Sequence, residues 1–70
     1  MTSRREGTVV RFDDAAGYGE VADAGGERWF FNCTEIADGS RHVDQGAAVT
    51  FELVAGRLGR WEAADLRPAG

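Results

Sequence analysis

"AAGYGEV", residues Ala15–Val21, is the stretch on which the reading of this chain turns. On a strand, a Gly-aromatic-Gly core leaves the ring of Tyr18 beside bare backbone, a platform on which a nucleic-acid base can stack. The next outward position is Glu20, a carboxylate facing what would be a polyanion. The glycines also suit backbone packing in a twisted strand, and both uses can hold together.

Outward from this stretch, short β-rich runs alternate with Gly and Asp turns, and no helical stripe of useful length occurs. Glu6–Phe12 ("EGTVVRF") precedes it as a strand, and Asp13 and Asp14 suit an Asx-type turn. Gly17–Ala22 is the second strand, "DAGGE" a tight hairpin turn, and Arg28–Asn32 ("RWFFN") the third strand. A long connection, with a helical turn near Thr34–Ile36, leads to Ala48–Val54. There Val49, Phe51 and Leu53 alternate with Thr50 and Glu52, the cleanest period-two pattern in the chain. "AGRLG" turns the chain into a fifth strand at about Trp61–Leu66. Five strands in this rhythm predict an all-β fold, a five-stranded antiparallel Greek-key barrel, because closure removes exposed edges. An SH3-like barrel has a similar strand count and competes.

The 70 residues predict one domain over 1–70, with its core at about 6–66. Cys33 is the single cysteine and His42 the single histidine, so neither a disulfide nor a zinc site is expected to staple the core. No cofactor is expected. "MTSRREG" is followed by no apolar run, and no stretch approaches the roughly 20 apolar residues of a membrane span. The expectation is a soluble, cytoplasmic monomer without membrane contact. Enzymatic activity is not expected either. Cys33 and His42 lack a third partner, Asp13, Asp14 and Glu20 read as turn and solvated-strand residues, and so short a chain encloses no substrate pocket.

The net charge is -4, from 8 basic and 12 acidic residues. Affinity for phosphates comes largely from cations that release counterions, so this sign opposes nucleic-acid binding. All the basic residues are arginines, however, and arginine both pairs bidentately with phosphate and stacks on bases.

Four segments in order resemble the cold-shock domain family. "GTVVRFDDAAGYGEV" is similar to the family's first signature, GxVKWFNxxKGFGFI, and "RWFFNCTEI" to its second, VFVHFSxI. "DGSRHVDQGAAVTFEL" resembles its DGxxxLxxGxxVxFxx rhythm, and "GRWEAADL" its closing GPxAxNV. The resemblance covers about Glu6 to Leu66 and implies an OB-fold of the cold-shock type that binds single-stranded RNA or DNA by aromatic stacking. Carried over position by position, Tyr18 and Phe30 match the central rings of the two signatures, and Phe12 matches the phenylalanine that follows the family's tryptophan.

Other positions depart from the pattern. Val10 and Ala16 stand where the family has lysine, Arg11 where it has tryptophan, and Glu20 where it has phenylalanine. Asn32 replaces the histidine, Cys33 the next aromatic, and Asp13 an asparagine. The expected nucleic-acid-binding residues are therefore Arg11, Phe12, Tyr18, Phe30, Asn32 and Arg60, with Arg57 flanking the same turn as Arg60. Affinity is expected to be weak or altered. Trp29 and Phe31 should turn into the barrel, while Trp61 either covers one barrel end or extends the binding face. The alternative is a barrel that has lost nucleic-acid binding and serves as a protein-interaction module, its acidic rim docking a basic protein segment.

Overall fold

The computed structural model describes residues 4–56 and 59–69. Five strands, β1 (Arg5–Asp13), β2 (Tyr18–Asp23), β3 (Arg28–Asn32), β4 (Ala48–Ala55) and β5 (Trp61–Pro68), close into a barrel in the order β1-β2-β3-β5-β4. Adjacent strands run antiparallel, except at the closure, where β3 meets β5 in parallel through Phe30 and Glu62. That closure is a consequence of the long connection: the chain leaves β3, crosses one end of the barrel, and returns on the far side of β5. A 3-10 turn at Cys33–Glu35 begins the crossing, and a bridge between Ile36 and Leu66 continues the parallel contact.

Alternation sends one residue in two to the interior. Val9, Val21, Phe31, Val49, Phe51 and Leu66 are almost wholly buried, joined by Ile36 and Ala63, and Phe12, Trp29 and Leu53 pack partly against them. Trp29 and Phe31 point inward on either side of exposed Phe30, as the strand period requires.

Two bulges interrupt the alternation. The register slips between Val9 and Arg11, so Val10 is an extra residue of β1 opposite β2. Val9 faces the core; after the bulge Arg11 faces out and Phe12 faces in. A second slip opposite Thr50 and Glu52 centres on Asp65, whose φ is 52°. It lets Ala63, Ala64 and Leu66 all be buried in β5. Arg4 holds this bulge: its guanidinium donates to Asp65 Oδ2 at 2.9 Å and to the Asp65 carbonyl at 2.6 Å.

Turn chemistry matches the composition. The Asp13 carboxylate accepts the Ala16 N–H at 3.0 Å, an Asx-type closure before Gly17. In the β2–β3 hairpin, Asp23 Oδ1 accepts the N–H groups of Gly25 (2.9 Å) and Glu27 (3.0 Å), and Oδ2 accepts Trp29 Nε1–H at 3.1 Å. Among the described residues no helix is long and apolar enough to cross a membrane.

Candidate nucleic-acid interface

Strand register places the candidate side chains. One row across the outer face reads Arg11, Glu20, Phe30 and Glu62, on β1, β2, β3 and β5. The next reads Asp13, Tyr18 and Asn32. Directly paired residues share a face of the sheet, so both rows look outward.

Tyr18 and Phe30 sit diagonally in these rows and meet, with ring centroids 5.4 Å apart and planes inclined at 34°. Phe30 is 37% exposed, an unusual position for a large apolar ring in so small a domain. Their shared ledge rests on glycine. Gly17 has φ 78° and its carbonyl accepts the Cys33 N–H at 2.8 Å, which fixes the approach of β2 to the end of β3. A Cβ on Gly19 would collide with the Arg11 carbonyl and lie 3.0 Å from Phe12 Cα. Left-handed backbone therefore explains Gly17 and close strand contact explains Gly19, and the half-exposed ring of Tyr18 between them comes as a result.

Phe12 lies elsewhere. Its ring stacks on buried Phe31 at 5.9 Å with the planes 4° apart, and it meets His42 edge-on at 5.8 Å. It supports the platform from the inner side of β1 and does not share the outer face with Tyr18 and Phe30. The Val10 bulge is the cause, and a motif read without register gives no sign of it.

Glu20 is not an isolated negative charge. Its Oε1 lies 3.8 Å from Arg11 Nε across the β1–β2 ladder, with the two side chains 31% and 60% exposed. Each partner offsets the other, so Glu20 is half of a surface ion pair where the sequence suggests a lone carboxylate. Asn32 is exposed beside Tyr18. Arg60 is exposed in the β4–β5 turn, where its carbonyl accepts the Gly56 N–H at 2.6 Å. Arg57 lies outside the described residues.

Two features have weak signals in the sequence. Trp61 is 58% exposed at the start of β5, with Val54 41% exposed on β4, so Trp61 does not seal a barrel end. His42 bridges two carboxylates, with Nδ1 2.8 Å from Asp14 and Nε2 2.9 Å from Asp44. These bonds, Asp14 first, hold its pKa above the ordinary histidine value. The clasp ties the long connection to the β1–β2 turn.

Comparisons with known proteins agree with this architecture. The family model described as 'Cold-shock' DNA-binding domain matches residues 5–69. The chain is similar to cold shock protein ScoF of Streptomyces coelicolor, with 38% identity over 65 residues, 90% of this chain and 96% of that protein. It is 33% identical over 60 residues to the major cold shock protein CspA of Pseudomonas aeruginosa, covering 84% of this chain and 87% of that one. Glycine-rich protein 2 of Nicotiana sylvestris is 38% identical over 65 residues, but the match spans 90% of this chain and only 30% of the plant protein. Among solved structures, drosophila Unr CSD456 superposes with a TM-score of 0.81 at 26% identity, over 99% of this chain and 28% of that one.

Proposed function

The chain belongs to the 'Cold-shock' DNA-binding domain family, and from that premise we propose that it binds single-stranded RNA or DNA on the face built by β1, β2 and β3. The observation that carries this reading is the Tyr18–Phe30 pair, two rings 5.4 Å apart on the outer surface. Such rings take successive bases of any sequence, because every base has a π-face. Asn32, beside Tyr18, offers an amide to a base edge. Arg60 reaches toward the phosphate backbone, and Phe12 stiffens the platform from within.

Affinity is weak on this reading. Arg11, Glu20 and Cys33 occupy positions where the family carries aromatics; at about 1 kcal/mol per lost stack, three losses lower affinity by about two decades. Fluorescence anisotropy with labelled single-stranded oligonucleotides, at low and then moderate salt, tests the proposal. Saturable binding that Tyr18→Ala and Phe30→Ala each weaken supports it, and flat titrations at low salt refute it.

A second reading is a protein-interaction module, favoured by the net charge of -4 and the exposure of Trp61 and Val54. On that reading the occupant is a basic segment. Purified protein free of nucleic acid, together with a partner lost on Tyr18→Ala, would favour the module over the stacking platform.

A further inference from the structure

We propose that the Arg11–Glu20 pair makes the platform selective for guanine, a specificity that rests on the nucleic-acid reading above. Strand register sets the geometry. Glu20 stands directly between Arg11 and Phe30 in one row of the outer face. A base stacked on Phe30 therefore presents an edge to the β2 position beside it, and that position is a carboxylate. Glu20 Oε1 faces Arg11 Nε at 3.8 Å, and both side chains retain solvent access.

An ionised carboxylate only accepts hydrogen bonds, and its two oxygens together match two adjacent N–H donors. Guanine offers that arrangement on its pairing edge, with N1–H next to the exocyclic N2 amino group. Cytosine and adenine each offer one amino group beside a bare ring nitrogen, whose lone pair faces the second oxygen. Uracil and thymine place N3–H between two carbonyl oxygens, which repel the carboxylate on both sides. Arg11 contributes in two ways. It orients the carboxylate by drawing Oε1 toward β1, and its charge keeps Glu20 from repelling the phosphates that accompany the base. Stacking alone is indifferent to base identity, so selectivity on this face has to come from such an edge contact.

The test uses the full chain and short labelled oligothymidylates carrying one central guanosine, inosine or cytidine, or no replacement. Inosine keeps N1–H and lacks the 2-amino group, so it removes one of the two donors and leaves the stacking surface nearly unchanged. The expected result is roughly tenfold tighter binding of the guanosine oligonucleotide than of its inosine counterpart, the scale of one good two-bond base contact. Glu20→Gln, which keeps the side-chain shape, should erase that ratio while circular dichroism shows the barrel intact. Binding that depends on Tyr18 yet ranks guanosine, inosine and thymidine equally would overturn the selectivity and leave the stacking reading standing. A guanosine preference that survives Glu20→Gln would also overturn it. Flat titrations with every oligonucleotide would refute both.

Discussion

At the scale of the residue, Glu20 and Gly19 carry the sharpest consequences. Glu20→Phe restores a ring beside Phe30 and removes the carboxylate, so binding of thymidine oligonucleotides should strengthen by about 1–3 kcal/mol, measured by anisotropy. The same change should abolish any guanosine advantage, which separates gain of stacking from loss of edge contact. Gly19→Ala works through the backbone. Its Cβ meets the Arg11 carbonyl and Phe12 Cα, neither of which is the free end of a side chain, so β1 and β2 must move apart. The expected outcome is a lower melting temperature together with weaker oligonucleotide binding, because the strands that part are those that carry the platform.

At the scale of the element, turns and connections are held by carboxylates. Asp23 binds both backbone N–H groups of its hairpin and the indole of Trp29, and the Trp29 hydrogen bond is the largest cause of its lowered pKa. Asp65, lowered chiefly by its bond to Arg67, holds the β5 bulge. A carboxylate with a depressed folded pKa contributes stability that is present above its unfolded value and lost as pH falls through the folded one. Stability should therefore begin to fall as pH drops into the ordinary aspartate range and keep falling below it, and Asp23→Asn should flatten that limb of the pH–stability curve.

His42 runs the other way. Its folded pKa is raised, so the clasp contributes below the ordinary histidine value and is lost as pH rises through the folded one. In the neutral imidazole one nitrogen loses its proton, and either Asp14 or Asp44 then faces a lone pair. An NMR titration of the His42 ring should report a pKa above 6.5, and Asp14→Asn should bring it down.

At the scale of the whole molecule, charge and size set the limits. Arg4, Arg5, Arg11 and Arg67 each sit within ion-pair distance of a carboxylate. Among the described residues this leaves Arg28, Arg41 and Arg60 outside these ion pairs, and the log–log dependence of affinity on salt should have a shallow slope, between about −1 and −2. A steeper slope would mean that charge outweighs stacking. The core is small enough for one ring to decide its fate. Phe31 is fully buried and underlies Phe12, and Phe31→Ala should cost about 3–5 kcal/mol, a large share of the stability of so short a domain. Chemical denaturation of that variant reads the loss directly.

Local pattern sets the strands, because β-branched and aromatic residues at period two, bounded by Gly and Asp, leave few other ways to bury Val49, Phe51, Phe31 and Val21. Observed strands begin or end within two residues of the expected limits. It also placed Tyr18 and Phe30 outside and Trp29 and Phe31 inside, since alternation along one strand is a local property. What it left open depends on neighbours that are distant in the chain. The slip at Val10 is set by how β1 pairs with β2, and it turns Phe12 inward and Arg11 outward. The same pairing brings Arg11 to Glu20, so a carboxylate that reads as a lone repulsive charge becomes half of an ion pair. Likewise His42 meets Asp14 only because the long connection folds back over the first turn. Periodicity fixes which residues are strand; only closure of the barrel fixes which side chains stand next to one another.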